Sequence, residues 1–455
     1  MTANSSFSEG ELRKIITQQV LHGLTSPVPP LTRRDVRVPG VPRKVISVIG
    51  MRRTGKSTFL WQVLGDRLAA GVGREGLLYF SFDDERLGGM TLADLSIVLE
   101  EYYRLHPEWR DRRRATLFLD EIQLVEGWER FVRRILDSEK VDVFVSGSSA
   151  RLLSREVATS LRGRAMEALV HPFSFREFLR HVGREPDHPL DRLVKAARSA
   201  LAHDLETYLR EGGFPEAIGA DVRDRSDLLG GFVDVTLLRD ILERHSVGQP
   251  QVVRWMTRQL LGNAAGLFSI NKFFNDLKSA GVRIAKDTLH DYLGYLEDAF
   301  LVRTLSIATD SERRRMVNPR KVYPIDPGLI PLFDRSGRAN LGHALETCVA
   351  LELERRGAQL SYLRTKDGYE VDFLAWYPGQ GSELIQVCTA VDSSATLERE
   401  VRALQAAAIE HPRASLHLVV LHQPMRAAVP SKIHVHSAVE WLLGSASDRK
   451  GQVRK

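Results

Sequence analysis

Chemistry concentrates first in Gly50-Met51-Arg52-Arg53-Thr54-Gly55-Lys56-Ser57, followed by Thr58, which fits the spacing GxxxxGK[ST] in full. The apolar stretch Val45–Ile49 precedes it and a helical pattern follows. Strand, glycine-rich loop and helix start, in that order, are what a phosphate cradle requires. Backbone N–H groups of such a loop point at phosphate oxygens, and the positive end of the helix reinforces them. Lys56 is spaced to reach the β and γ phosphates of a nucleotide, and Ser57 to ligate magnesium. The expected ligands are ATP and Mg2+.

A second acidic element lies at Thr116-Leu-Phe-Leu119-Asp120-Glu121. An apolar strand that ends in adjacent carboxylates suits a magnesium nucleotide. Asp120 would hold the metal, directly or through water, and Glu121 would orient and activate the attacking water. A third strand ends Val143-Phe-Val145-Ser146-Gly147-Ser148-Ser149. Ser148 or Ser149 could sense the γ-phosphate there, or could cap the helix that follows.

The elements that must position these residues follow from periodicity. Short apolar strands are expected at Val45–Ile49, Leu77–Phe82, Thr116–Leu119, Val141–Val145 and Ala165–Val170, with helical stretches between them. That alternation predicts a parallel sheet covered on both faces. Residues 8–24 read as an amphipathic helix stopped by Pro27, Pro29 and Pro30, and residues 175–245 read as helical throughout. With 455 residues and 43% hydrophobic content the chain can bury several cores. Its net charge of +6 suits a polyanionic partner. Cys348 and Cys388 have no metal or disulfide spacing, and no apolar run approaches the roughly 20 residues of a membrane span. A cytoplasmic protein without a membrane partner is expected.

Gly50–Thr58, Phe118-Leu-Asp-Glu121-Ile-Gln123 and Ser146-Gly-Ser148 resemble the AAA+ superfamily. Leu161-Arg-Gly-Arg164, Pro172-Phe-Ser-Phe175-Arg-Glu-Phe178 and Tyr208-Leu-Arg-Glu-Gly-Gly213-Phe-Pro215-Glu216 narrow the resemblance to a group of archaeal and bacterial AAA+ ATPases with a C-terminal domain of unknown function. The resemblance implies an α/β AAA+ core at 41–174 behind an N-terminal helix and linker at 1–40, with a helical lid at 175–250. It implies that Arg164, or Arg162, acts as an arginine finger on a neighbouring subunit; a surface arginine is the alternative. Gly213-Phe-Pro215 is similar to the Gly-x-Pro of signalling ATPases, whose proline packs near the nucleotide; an ordinary turn is the alternative. A homo-oligomer is implied, a hexameric ring being one form.

Residues 251–336 read as helices followed by two strands around a polar loop, with paired helices at Ile270–Gly281 and Ile284–Ala299 and strands at Leu301–Ser306 and Lys321–Ile325. This is the pattern of a winged helix, in which the second helix enters a major groove and the wing touches phosphate. The segment holds 13 basic and 9 acidic residues. Lys286, His290, Arg313, Arg314 and Arg315 are the expected phosphate contacts. Residues 337–445, ahead of a polar tail at 446–455, resemble the PD-(D/E)XK, or restriction-endonuclease-like, α/β fold. That chemistry needs carboxylates to hold magnesium and a lysine to activate water. Glu346 and Asp372 match the acids, but Gln386 and Cys388 stand where Glu and Lys are expected, so a degenerate domain is the reading.

The expected function is an ATP-hydrolysing oligomeric motor or remodeller acting on duplex or branched DNA. Its alternative is a nucleotide-dependent switch that binds a protein partner. An ATP-gated nuclease is a third reading, disfavoured by Gln386 and Cys388.

Overall fold

The computed structural model describes residues 9–147, 161, 163–334, 340–389, 394–422 and 429–444. The chain divides into two compact units, 1–171 and 172–455. No helix among the described residues is long and apolar enough to cross a membrane.

The first unit is built on five parallel strands: β1 Val45–Ile49, β2 Leu77–Ser81, β3 Ala115–Asp120, β4 Val141–Ser146 and β5 Ala165–Leu169. Their order is β2-β3-β4-β1-β5. All five expected strands are present, and their pairing is parallel throughout. β1 is buried at every position and sits between β4 and the edge strand β5, so it is an interior strand of the sheet. Helix α2, Lys56–Ala69, packs Phe59, Leu60 and Val63 on Ile46, Val48, Phe118 and Phe144. Helix α1, Glu9–Thr25, buries Ile16 and Val20, as its amphipathic pattern predicts.

The second unit begins with the helix Phe175–His181, which carries a capping box. Ser174 Oγ accepts the Glu177 N–H at 3.2 Å, and a Glu177 carboxylate oxygen accepts the Ser174 N–H at 2.9 Å. The region expected to be helical throughout is in fact interrupted. Gly183, Pro186 and Pro189 break it before the helix Lys195–Glu211, and Gly212, Gly213 and Pro215 break it before Val222–Val235. Residues Thr236–Glu243 continue as a π-helical turn.

Beyond it, the helices Pro250–Gly262, Ile270–Ser279 and Lys286–Asp298 accompany a small antiparallel sheet. Its strands are β6 Leu267–Phe268, β7 Val302–Leu305 and β8 Arg320–Pro324, in the order β6-β8-β7. The segment between β7 and β8, read from sequence as a loop, contains the short helix Glu312–Val317. Ser311 caps it, its hydroxyl accepting the Arg314 N–H at 3.3 Å, which supplies the start signal that the charge run obscured. The last sheet has the order β13-β12-β11-β10-β9. It comprises β9 Gln359–Arg364, β10 Glu370–Tyr377, β11 Gly381–Cys388, β12 Ser415–Val420 and β13 Ile433–Ser437. β9, β10 and β11 are antiparallel neighbours, while β11, β12 and β13 run parallel. The helix Leu341–Arg355 contributes Leu345, Val349 and Leu353 to one core, and the helix Ser394–Glu410 contributes Val401 and Leu404 to another.

One backbone junction fixes the interior of this unit. Gly212 adopts φ 82°, ψ −170°, a conformation open only to glycine. A Cβ there would lie 1.8 Å from an Asp326 carboxylate oxygen. Asp326 is buried and accepts the N–H groups of Gly213 at 2.7 Å and Gly328 at 2.9 Å. Burial pushes its carboxyl up to about 7 despite those two donors. Gly212→Ala should therefore destabilise the second unit by about 3 kcal/mol or more, since strain and overpacking add. Gly231→Ala, in a helix with nothing within 4 Å of the new methyl, should be neutral or stabilising. Thermal melts of the two variants measure the difference.

Candidate functional site

Gly50 opens the loop after β1 at φ +149°, and a Cβ there would lie 2.2 Å from the Val170 carbonyl, so only glycine fits. Gly55 closes the loop in the left-handed region and starts α2. Met51 and Thr54 are buried, Arg52 is half-buried, and Arg53 and Thr58 are exposed. The Thr54 hydroxyl donates to the Met51 carbonyl at 2.9 Å. Lys56 is buried, and its Nζ donates to the carbonyls of Gly50 at 3.2 Å and Met51 at 3.0 Å. From outside, the buried Arg34 donates to the Thr54 carbonyl at 2.8 Å and to the His171 carbonyl, and its own N–H is received by Gln62 at 2.6 Å. The linker before β1 therefore clamps the loop, a role that the sequence reading did not assign to Arg34.

The carboxylates at the end of β3 meet the tip of β4. Asp120 is buried and accepts hydrogen bonds from the Tyr79 hydroxyl, at 2.5 Å, and from the Ser146 hydroxyl. Ser146 Oγ also accepts the Glu121 N–H at 3.0 Å. Glu121 adopts a left-handed backbone with φ 55° and accepts from the Gln123 amide. Burial raises its pKa; Lys56 and Arg52 oppose the rise, which places it within the electrostatic reach of both. Among the serines at the β4 tip, Ser146 holds the Asp120 carboxylate and the Glu121 backbone N–H; Ser148 and Ser149 lie outside the described residues. The donor set fits a magnesium nucleotide: a buried ammonium on the loop, a hydroxyl at Ser57, and a metal-type carboxylate at Asp120 with its second acid beside it.

The other candidates are dispersed. Arg162 lies outside the described residues. Arg164 is paired with Asp137 in its own unit. Pro215 belongs to the second unit and opens a 3-10 turn, Pro215–Ala217. Lys286 and His290 do converge, lining a shallow depression with Arg320, Asn271, Asn318 and Met316. Burial, Arg320 and Lys286 lower the His290 pKa. Arg313, Arg314 and Arg315 lie on the short helix, all exposed, with Arg315 paired to Glu312 at 2.5 Å.

Glu346 and Asp372 come together around a lysine from another strand. Lys321, on β8, is buried and places Nζ 2.8 Å from Asp372 and 3.1 Å from both Glu346 and Glu370. Tyr323 donates to Glu346 at 2.9 Å. Gln386 accepts the Asp372 N–H at 3.2 Å and donates to Glu400 at 2.6 Å, while Cys388 lies in the apolar core with Leu384 and Leu404. Burial works against the Lys321 charge, but Asp372 and Glu346 outweigh it and raise its pKa. Burial and Asp372 push Glu346 up. A positional motif could not find Lys321, because it precedes Asp372 by 51 residues and lies on another sheet.

Removing that cation leaves carboxylates buried without it. Lys321→Met should cost about 3–5 kcal/mol of stability. In the variant Glu346 loses the charge that opposed its upward shift, so its folded pKa lies further above its unfolded value. The associated stability is present at low pH and lost as pH rises through the folded pKa. Glu346 already holds its proton up to about pH 8 in the wild type, so denaturant melts should show a deficit that is constant below about pH 8 and widens above it; a deficit that stays constant there too would assign the loss to packing alone.

Residues 42–179 match the family described as an AAA domain, and residues 202–337 match a domain of unknown function. The uncharacterized protein MJ1544 of Methanocaldococcus jannaschii is 34% identical over 379 residues, which cover 82% of this chain and 81% of that protein. An uncharacterized protein of Haemophilus influenzae is 32% identical, over 73% of this chain and 79% of its own length. Among solved structures, the Walker-type ATPase PABY2304 of Pyrococcus abyssi aligns with 70% of this chain and 95% of its own, at 16% identity and a TM-score of 0.41. With a glycine-rich loop, a buried lysine and paired acids set on a five-stranded parallel sheet, the chain belongs to the family of AAA-domain proteins that includes MJ1544.

Proposed function

We propose that the chain binds ATP with magnesium and hydrolyses it. The observation that carries this reading is the grouping of Lys56, Asp120, Glu121 and Ser146 around the Gly50–Ser57 loop. In this reading the backbone from Gly50 to Thr58 receives the phosphates, Lys56 neutralises the terminal pair, and Ser57 and Asp120 hold the metal. Magnesium, when bound, offsets the negative charge of the phosphates. Glu121 takes up the proton of the attacking water, and the upward push of burial on its pKa suits a group that must accept one. Arg164 serves as a finger for a neighbouring subunit by exchanging Asp137 for phosphate, which makes the working form a homo-oligomer. Glu121→Gln should retain nucleotide binding and lose at least about 10²-fold in turnover, whereas Lys56→Ala should weaken binding itself. Fluorescent-nucleotide titration and phosphate release measure the two; wild-type turnover in Glu121→Gln would remove Glu121 from its role.

The second unit is read as the part that acts on DNA, with a helical lid at 175–250, a winged helix at 251–336 and a nuclease-like domain at 337–445. What supports this is the pair of helices Ile270–Ser279 and Lys286–Asp298 beside the β6-β8-β7 sheet, with Lys286, Arg320 and the exposed Arg313 and Arg314 as its cations. The nuclease-like domain is read as degenerate, its acids neutralised by Lys321. Replacing Arg313, Arg314 and Arg315 by alanine should weaken binding to duplex and four-way-junction DNA alike. It should flatten the log–log salt dependence by about one unit for each phosphate no longer neutralised. Anisotropy titrations at several salt concentrations read this out. Wild-type protein that binds none of these DNAs would favour the alternative of a nucleotide-dependent switch for a protein partner.

A further inference from the structure

Tyr79 is a half-buried phenol in the apolar run Leu77-Leu-Tyr-Phe80 of β2, and no motif draws attention to it. In the fold it touches both residues assigned to the metal. Its hydroxyl donates to Asp120 Oδ2 at 2.5 Å. The same phenol oxygen also meets the hydroxyl of Ser57 and the indole N–H of Trp61. Trp61 follows Ser57 by one helical turn, so the two side chains share a face of α2. The indole stacks on the Tyr79 ring, with centroids 4.4 Å apart and planes 28° from parallel. Ser146 holds the other oxygen of Asp120, so both carboxylate oxygens have a fixed donor. Burial, with the charge of Asp120, raises the Tyr79 pKa, which keeps the phenol a donor throughout the neutral range.

These contacts form a closed set: β2 supplies the phenol, β3 the carboxylate, and α2 both the serine hydroxyl and the indole that anchors the ring. We infer that Tyr79 is a positioning residue for the magnesium–nucleotide complex, holding Asp120 and Ser57 at a set spacing and orientation. This rests on the nucleotide reading above and deepens it. Groups that orient ligands in this way typically tune metal affinity by 10- to 100-fold without touching the metal. A hydroxyl shared by two metal-shell residues should therefore affect the metal and spare metal-free nucleotide binding.

The test uses the full chain, a fluorescent ADP analogue, and titrations in EDTA and at graded magnesium. Tyr79→Phe removes the hydroxyl and keeps the ring stack. Its affinity in EDTA should stay within about twofold of wild type, while the magnesium concentration that half-saturates the metal-dependent gain should rise about tenfold. Turnover at saturating magnesium should return to near the wild-type value, which a variant damaged only in packing would not do. Trp61→Phe keeps an aromatic stack but loses the N–H to the phenol, and should shift the magnesium midpoint in the same direction by a smaller factor. It serves as the second variant should Tyr79→Phe fail to fold. An unchanged midpoint would overturn the inference. So would a lowered one, which would mean that the phenol competes with the metal. Failure of the wild-type protein to bind the analogue at all would instead remove the nucleotide reading on which this rests.

Discussion

Asp120 is a carboxylate closed off from solvent at the end of a buried strand, and burying such a group is costly unless donors surround it. Tyr79 and Ser146 are those donors. To supply them, β2, β3 and β4 must lie side by side in register, with Ser81 opposite Asp120 and Leu119 opposite Val145. The adjacency of β2, β3 and β4 in the sheet is what brings both donors to that one acid, and the left-handed turn at Glu121 follows directly after it. The same hydrogen bonds thus fix the carboxylate at the strand end and satisfy it within the core.

The second unit handles buried charge differently. Lys321 sits among Glu346, Glu370 and Asp372 and joins β8 to β10 and the helix Leu341–Arg355. An ammonium is non-directional and accommodates three acids at once, and its burial is tolerable only because those acids are present. The arrangement ties the small antiparallel sheet to the larger mixed one through electrostatics as well as through apolar packing. Tyr323, one pleat along the same strand, adds its hydroxyl to Glu346.

Glycine and aspartate share a third device. The chain reverses at Gly212 and Gly213 where side chains have no room, and Asp326 receives the backbone N–H that the reversal exposes. Gly213-Phe-Pro215 therefore has a packing reason to exist within its own unit, independent of any nucleotide.

The sequence by itself determined the first unit's strands, because short apolar runs alternating with helical periodicity leave a parallel sheet as the economical way to bury both faces. It also determined the loop Gly50–Ser57, since backbone geometry there demands glycine at set spacings, and it identified Asp120 and Glu121 by their place at a strand end. It singled out Glu346 and Asp372, and both carboxylates pair with Lys321. Only the tertiary structure decided what surrounds these residues. Tyr79, Arg34 and Lys321 lie 41, 20 and 51 residues from Asp120, Thr54 and Asp372, the groups that they serve. Sequence periodicity reports which face of an element a residue occupies but not which distant element that face will meet. The helix Glu312–Val317 was hidden for a different reason: a run of arginines has the composition of a solvated loop, and its helical state depends on a single capping serine. The identity of the cation among the carboxylates likewise depended on how two separate sheets pack, which brought Lys321 beside Glu346, Glu370 and Asp372.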